Sequence, residues 1–290
     1  MTDELAIRIR GLRKAYGSGT AQTQAVDGID LDVHRGEVFA LLGPNGAGKT
    51  TTVEILEGIR RRDAGEVDVL GADPGSPTST WRQRIGIVSQ LSGGLDLLTP
   101  REIVTSTAKV YRRPSAPEQV LDAVGLSDKA DARIAGLSGG QRRRLDVALG
   151  IVGHPELLFL DEPTTGFDPQ ARRDFWELIR SLAGDGTTIL LTTHYLDEAE
   201  QLAGRVGIVA AGRLVALGAP ADLGGRADGE AVVAWEEGGT RHTLACADPT
   251  EQVCRLRARL GGEIPGLTVT RPSLEDTYLT LIAPHLEARA

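Results

Sequence analysis

The 290-residue chain is 41% hydrophobic, 25% charged and 4% aromatic, with Gly 36 and Pro 14. That length holds one large α/β domain with a small appendage. The charge fraction and the regular apolar segments argue against a disordered chain, and the glycines follow no collagen-like period. A net charge of -8 and a pI near 5.3 leave no basic field for gripping nucleic acid or anionic lipid.

Residues 1–10 lack the apolar stretch and cleavage site of a secretory leader, so a cytosolic chain is expected. Strands are expected at 5–10, 29–33 and 38–43, the last running into a Gly-rich loop and a helix over 49–58. Strands at 67–70 and 85–89 precede helices at 101–111, 117–124 and 141–152. A strand at 157–161 leads to a helix at 171–183, where Phe175, Ile179 and Leu182 share one face by i, i+4, i+7 spacing. A strand at 188–193 follows, then a hairpin of 206–210 with 214–217 around Ala211-Gly212. Short apolar runs alternating with helical periods predict an α/β fold with a largely parallel sheet. The longest apolar runs, 38–42 and 206–211, fall far short of the ~18 residues that a spanning helix needs.

The composition shifts after Gly218. Residues 221–230, with their Gly-rich stretch 224–229, read as a linker between a domain over 1–220 and a small α+β domain over 231–290. The second pattern has strands 231–235 and 240–245 around a turn, helix 249–260, strand 267–270 and helix 273–282. Its expected core is Trp235, Leu244, Leu256, Leu260, Leu267, Leu274 and Tyr278. Cys246 and Cys254 make neither a metal cluster nor a disulfide framework. The arginine runs 60–62 and 142–144 read as solvated helix faces.

Three stretches carry chemistry. Gly43-Pro44-Asn45-Gly46-Ala47-Gly48-Lys49-Thr50 fits the G-x-x-x-x-G-K-[ST] spacing between a strand and a helix. Its backbone N–H groups and helix N-terminus suit phosphate oxygens, Lys49 suits the β/γ-phosphates, and the Thr50 hydroxyl suits Mg²⁺. The apolar strand 157–161 ends in Asp161 and Glu162. Asp161 suits the outer shell of the same cation, and Glu162 faces the attacking water. Leu137-Ser138-Gly139-Gly140-Gln141 opens a helix with capping-box spacing, and its double glycine at a helix N-terminus is also a second anion site. Two phosphate-binding devices in one chain invite a two-subunit sandwich.

In order and spacing these pieces closely resemble the nucleotide-binding subunits of ABC transporters, over roughly residues 5–218. The resemblance implies an α/β P-loop NTPase fold of ABC type with a helical subdomain, and ATP hydrolysis with Mg²⁺. It implies that the phosphate loop, with Thr51, binds ATP and that Tyr16 stacks on adenine. By the same resemblance Gln90 would contact Mg²⁺ and line the junction with a membrane subunit. It further implies that Ser138, Gly139, Gly140 and Gln141 reach the nucleotide held by the opposite subunit, that His194 closes on the γ-phosphate, and that Asp168 couples the two sites. Residues 91–94 repeat the Leu-Ser-Gly-Gly of 137–140 without the Gln that follows it there, and read as a loop. Phe167 stands where the family usually has Leu.

Residues 273–279 are similar to a tail segment of ABC-2-type exporter ATPases of the drug-resistance group. The expected function is therefore an ATPase subunit that powers export of a drug-like or envelope compound. Integral membrane permease subunits, a second and identical ATP-binding subunit, and the cytoplasmic face of the membrane are the implied setting. An import-system ATPase uses similar subunits. A soluble ABC-type ATPase acting on nucleic acid or the ribosome would carry a second nucleotide domain, a long coiled coil or a zinc module. This chain has one phosphate loop, no sustained heptads and no four-cysteine pattern.

Overall fold

The computed structural model describes residues 4–17, 22–88, 95–225, 230–271 and 273–287. The chain divides into two compact units, Met1–Leu217 and Gly218–Ala290.

In the first unit, β1 (Leu5–Tyr16), β2 (Thr23–His34) and β4 (Ala64–Val69) form an antiparallel sheet in the order β2-β1-β4. A six-stranded sheet has the order β5-β6-β7-β3-β8-β9. Its strands are β3 (Val38–Leu42), β5 (Ile85–Val88), β6 (Leu157–Asp161), β7 (Thr188–Thr193), β8 (Arg205–Ala210) and β9 (Arg213–Gly218). All its pairings from β5 across to β8 are parallel. Strands β3 and β7 are buried along their whole length, and β6 is buried up to Asp161. That explains the unbroken apolar stretches Val38–Leu42, Leu157–Leu160 and Ile189–Leu191, which do not alternate, as suits parallel strands covered on both faces. Phe39, Phe159 and Phe175 sit fully buried at the centre of the unit.

The helices of this unit are α1 (Lys49–Leu56), α2 (Ser79–Arg82), α3 (Pro100–Ala108), α4 (Pro117–Ala123), α5 (Gly139–Ile151), α6 (Pro169–Gly184) and α7 (Leu196–Leu202). Helices α3, α4 and α5 contact one another. Thr99 and Glu102 close a capping box at the start of α3. Among the described residues, no helix is long and apolar enough to cross a membrane.

The α/β fold with its parallel sheet agrees with the sequence, and the differences have physical reasons. Strands β1 and β2 run past their apolar cores because register shifts keep them paired, and cross-strand pairs such as Arg10–Asp32 and Arg13–Asp27 support their polar positions. Helices α2 and α7 are too short to show a helical period. A Thr78 cap and Trp81 fix α2, and the buried Trp81 indole N–H donates to the Val69 carbonyl at 2.8 Å. Ala211 and Gly212 both take positive φ (50° and 79°), as a tight hairpin turn requires.

In the second unit, β10 (Ala231–Glu237), β11 (Thr240–Cys246) and β12 (Thr268–Thr270) form an antiparallel sheet in the order β11-β10-β12. Helices α8 (Pro249–Leu260) and α9 (Leu274–Glu287) complete it. Asp248 caps α8 by accepting the Glu251 N–H, and Gly261 ends it in the left-handed region. The small core joins Val233, Trp235, Leu256 and Ile264, with Leu260 packed at its edge. Leu244 and Leu267 are exposed, so they do not belong to the core expected of them: they lie at the margins of a three-stranded sheet too narrow to cover them. Residues 226–229 of the expected linker lie outside the described residues.

Candidate functional site

Strand β3 delivers the chain to the phosphate loop at the centre of the sheet. A Cβ on Gly43 would stand 2.2 Å from the Val209 carbonyl oxygen, and one on Gly48 would stand 2.3 Å from that of Ala25. Only glycine fits either position. Gly48 precedes α1 with φ 107° and supplies no side-chain cap, so the first-turn N–H groups of α1 keep their anion-binding character. Ala47 is buried, while Asn45, Gly46 and Thr50 are exposed. Lys49 is only 6% exposed. Its Nζ donates to the Gly43 carbonyl at 2.7 Å and to the Pro44 carbonyl at 3.3 Å. Burial pulls its pKa below the usual lysine value, against the opposing charges of Glu162 and Asp161. The Thr51 hydroxyl lies 3.3 Å from the Tyr16 hydroxyl. The Tyr16 ring has the Lys14 ammonium at 5.8 Å and the Arg60 guanidinium at 5.2 Å from its centroid.

The second arm of the site comes from adjacent parallel strands. Asp161 at the end of β6 pairs in register with Thr192 of β7, whose hydroxyl donates to Asp161 Oδ1. The Glu162 N–H donates to the Thr192 carbonyl at 3.0 Å. Glu162 takes φ 43°, a left-handed backbone that a glutamate adopts only under constraint. That turn brings Glu162 Oε1 to 3.3 Å from His194 Nδ1, beyond the end of β7. The His194 ring lies against Tyr195 with centroids 4.1 Å apart.

Thr50, Glu54, Glu57, Asp161 and Glu162 line one cleft of about 560 Å³ whose apolar wall includes Ile87 and Val88. The cleft thus joins the phosphate-loop helix to both candidate carboxylates. Glu57 is a member that sequence reasoning missed. Burial pushes its carboxyl up to about 7, and the charges of Asp161 and Glu54 add to the rise. Its signal was available: positions 50, 54 and 57 share one helix face.

Residues 138–141 take no part in lining that cleft. Ser138 accepts the Gln141 N–H at 3.2 Å while the Gln141 side chain accepts the Ser138 N–H at 3.0 Å, a complete capping box. The two glycines between them are not demanded by packing. A Cβ on Gly139 would meet nothing within 4 Å, and one on Gly140 would rest at 3.4 Å from Ala171 Cβ. Asp168 caps α6, accepting the N–H groups of Gln170 and Ala171 at 2.9 Å each. Phe167 meets Phe175 edge-on, with ring centroids 5.7 Å apart, which accommodates the larger side chain at that position.

Arg143 corrects the reading of 142–144 as a solvated face. It is buried, and it reaches from α5 to the carbonyls of Asp161 and Pro163 and to the Asp146 carboxylate. A run of three arginines gives no hint which one faces inward. Gln90 and the repeated letters at 91–94 lie outside the described residues.

The family described as ABC transporter matches residues 26–165. The daunorubicin/doxorubicin resistance ATP-binding protein of Streptomyces peucetius is 38% identical over 95% of this chain and 92% of its own length. Nod factor export ATP-binding protein I of Burkholderia orbicola is 38% identical over 97% of this chain and 98% of its own. Among solved structures, a subunit of the CbiONQ ABC transporter complex of Clostridium perfringens superposes with a TM-score of 0.67 at 28% identity, over 76% of this chain and 90% of that one. A dimeric ATP-binding cassette bound to ADP and phosphate shares the fold, with a TM-score of 0.66 at 23% identity, over 73% of this chain and 98% of that one. The loop over 43–50, the carboxylates Asp161 and Glu162 and the helix that opens with Ser138 stand on a fold held in common with these proteins, and the chain belongs to the family of ABC transporter ATP-binding subunits, in its ABC-2-type exporter group.

Proposed function

We propose that this chain is the ATP-hydrolysing subunit of an exporter, working on the cytoplasmic face of a membrane beneath separate permease subunits. The observation that carries the chemistry is the 3.3 Å approach of His194 to Glu162, which lines one cleft with Thr50 and Asp161. The exporter relatives support the direction of transport, and drug-like or envelope compounds are the proposed cargo.

In this reading ATP lies along residues 43–51. Lys49 exchanges its loop carbonyls for β- and γ-phosphate oxygens, and Tyr16 meets the base. The Thr50 hydroxyl and Asp161 carboxylate are exposed oxygen donors in one cleft, a donor set that suits a hard cation keeping several waters. They would hold Mg²⁺ together with Gln90, Asp161 acting through water. When bound, the ion neutralises charge on the phosphate oxygens. Glu162 orients and polarises the attacking water, and the pairing at Nδ1 leaves His194 Nε2 to meet the γ-phosphate.

Residues 138–141 act on a second copy of the chain. Unhindered space around Gly139 supports this, because a bare glycine with no packing partner admits a close approach from outside. Ser138 and Gly140 then contact the opposite γ-phosphate, flanked by Gly139 and Gln141, and Asp168 couples the two sites.

Glu162→Gln tests the reading. Loss of a general base typically costs ~10²–10⁴ in rate, or about 3–5 kcal/mol of barrier. The expected outcome is loss of steady-state hydrolysis with ATP binding retained and accumulation of an ATP-bound dimer. Turnover within a few-fold of the unmodified protein would remove Glu162 from the role. Light scattering that shows only monomer at saturating ATP would remove the sandwich.

A further inference from the structure

One buried acid takes no part in the reading above. Glu198 lies on the first turn of α7 and is fully buried. Its carboxyl faces the hydroxyls of Thr164 and Thr193 and the indole N–H of Trp176, with the charge of Arg172 nearby. None of these approaches closes into a well-aligned hydrogen bond. Both Glu198 oxygens, the Thr164 hydroxyl, the Trp176 indole nitrogen and Arg172 Nε are buried without one. A buried acid so loosely partnered destabilises a fold, and its placement asks for a compensating role.

The partners of Glu198 lead to the segments that carry the hydrolytic groups. Thr164 follows Glu162 closely in the same turn. Thr193 is the last residue of β7, adjoins His194, and accepts the Tyr195 N–H at 3.0 Å, which leaves its own proton to donate. Arg172 and Trp176 lie on α6, the helix that Asp168 caps. Arg172 extends the cluster towards His194: its guanidinium lies 4.6 Å from the Tyr195 ring centroid and donates to Asp197 at 3.1 Å.

We propose that Glu198 is a positioning residue whose buried carboxyl stands between the turn after Glu162 and the end of β7, and so sets the approach of His194 to Glu162. A leucine of similar volume would fill the space and hold neither segment. Burial raises the Glu198 carboxyl above the ordinary range, with the Thr193, Thr164 and Trp176 groups and the Arg172 charge opposing the rise. Its two oxygens offer one acceptor to each flanking hydroxyl, which suits a place between two segments. The proposal rests on the reading of Glu162 and His194 as the hydrolytic pair.

The experiment uses the full chain with Glu198→Ala, Glu198→Gln, Thr164→Val and His194→Ala. Readouts are kcat, KM, Mg·ATP affinity, and the His194 imidazole signals in a ¹H–¹³C NMR spectrum, assigned by their loss in His194→Ala. Glu198→Ala should lower kcat at least tenfold, leave Mg·ATP affinity within threefold, and shift the His194 signals. Glu198→Gln, which keeps a two-ended polar group, should stay within threefold in kcat. Thr164→Val should shift the His194 signals and lower kcat partway.

Folded Glu198→Ala with unchanged kcat and unmoved His194 signals overturns the proposal. So does a parallel loss of affinity and kcat, which is general damage, or Glu198→Gln as impaired as Glu198→Ala. If Glu198→Ala does not fold, Thr164→Val decides: unchanged kcat and signals overturn the link. Wild-type hydrolysis by His194→Ala would instead sink the underlying assignment, because the signals report the position of His194 independently of turnover.

Discussion

The Arg143 guanidinium donates to the main-chain carbonyl of Asp161 at 2.6 Å, so the helix that opens with Ser138 is fastened to the end of the strand that presents the carboxylates. The same side chain reaches the Pro163 carbonyl at 3.1 Å. Two devices that serve different nucleotides in the proposed dimer are thereby one mechanical piece within each chain.

Arg143→Ala should lower stability by about 2–4 kcal/mol, since it strands the buried Pro163 carbonyl and the half-buried Asp161 carbonyl that a charged donor now satisfies. Arg143→Lys should recover only part, because an ammonium lacks the planar fork that serves several acceptors at once. Urea unfolding curves for the three proteins measure this. Equal midpoints for wild type and Arg143→Ala would show that the contact carries no weight.

Lys49→Ala should weaken Mg·ATP binding itself, because the buried cation proposed to meet the phosphates is gone. Ser138→Arg should spare binding and block the opposite site. Mixed dimers of the two variants contain one site with both lesions and one with neither, whereas each homodimer has two damaged sites. Mixing should restore measurable hydrolysis when one intact site turns over alone. Unchanged Mg·ATP affinity in Lys49→Ala, read by titration calorimetry, contradicts the phosphate-loop assignment.

Acid stability offers a third measurement. Glu156 accepts from Arg84 and Arg35, and these hydrogen bonds hold its carboxyl near 2, below the ordinary value of 4.5. A depressed carboxyl contributes stability that is complete above pH ~4.5 and is lost as pH falls toward 2. At 40% exposure the contribution is screened to about 1–2 kcal/mol. Glu156→Gln should therefore be less stable than wild type at pH 7 and converge with it near pH 2. A constant difference across that window would mean that the ion pairs are not the cause.

Truncation after residue 217 should leave a folded protein that binds Mg·ATP, since every described candidate nucleotide contact precedes that point. We expect its ATP-dependent dimerisation, or its binding to the permease, to weaken at least about tenfold, ~1.4 kcal/mol. A truncated chain that dimerises, hydrolyses and supports export like the whole one would make residues 218–290 a passive cover.

The legible parts of this protein were those in which local pattern and tertiary environment agree. Strands β3 and β6 and the middle of β7 are apolar runs because both their faces are covered, and the phosphate loop is written by two glycines that no other residue could replace. The capping box at Ser138 and Gln141 was also plain from its spacing. Arg143, Glu57 and Glu198 were not legible, because charged side chains gain their meaning here from burial, and burial is set by elements far apart in the chain. The left-handed turn at Glu162 leaves no mark on the sequence either.

That turn sets two selective pressures against each other. Glycine at 162 would relieve a left-handed backbone at a gain of roughly 1–2 kcal/mol, while the chain would lose the carboxylate opposite His194. A library screened only for heat tolerance should accumulate glycine or asparagine at this position and drift into well-folded, inert protein. Any programme to harden this subunit must therefore read out nucleotide turnover at every round.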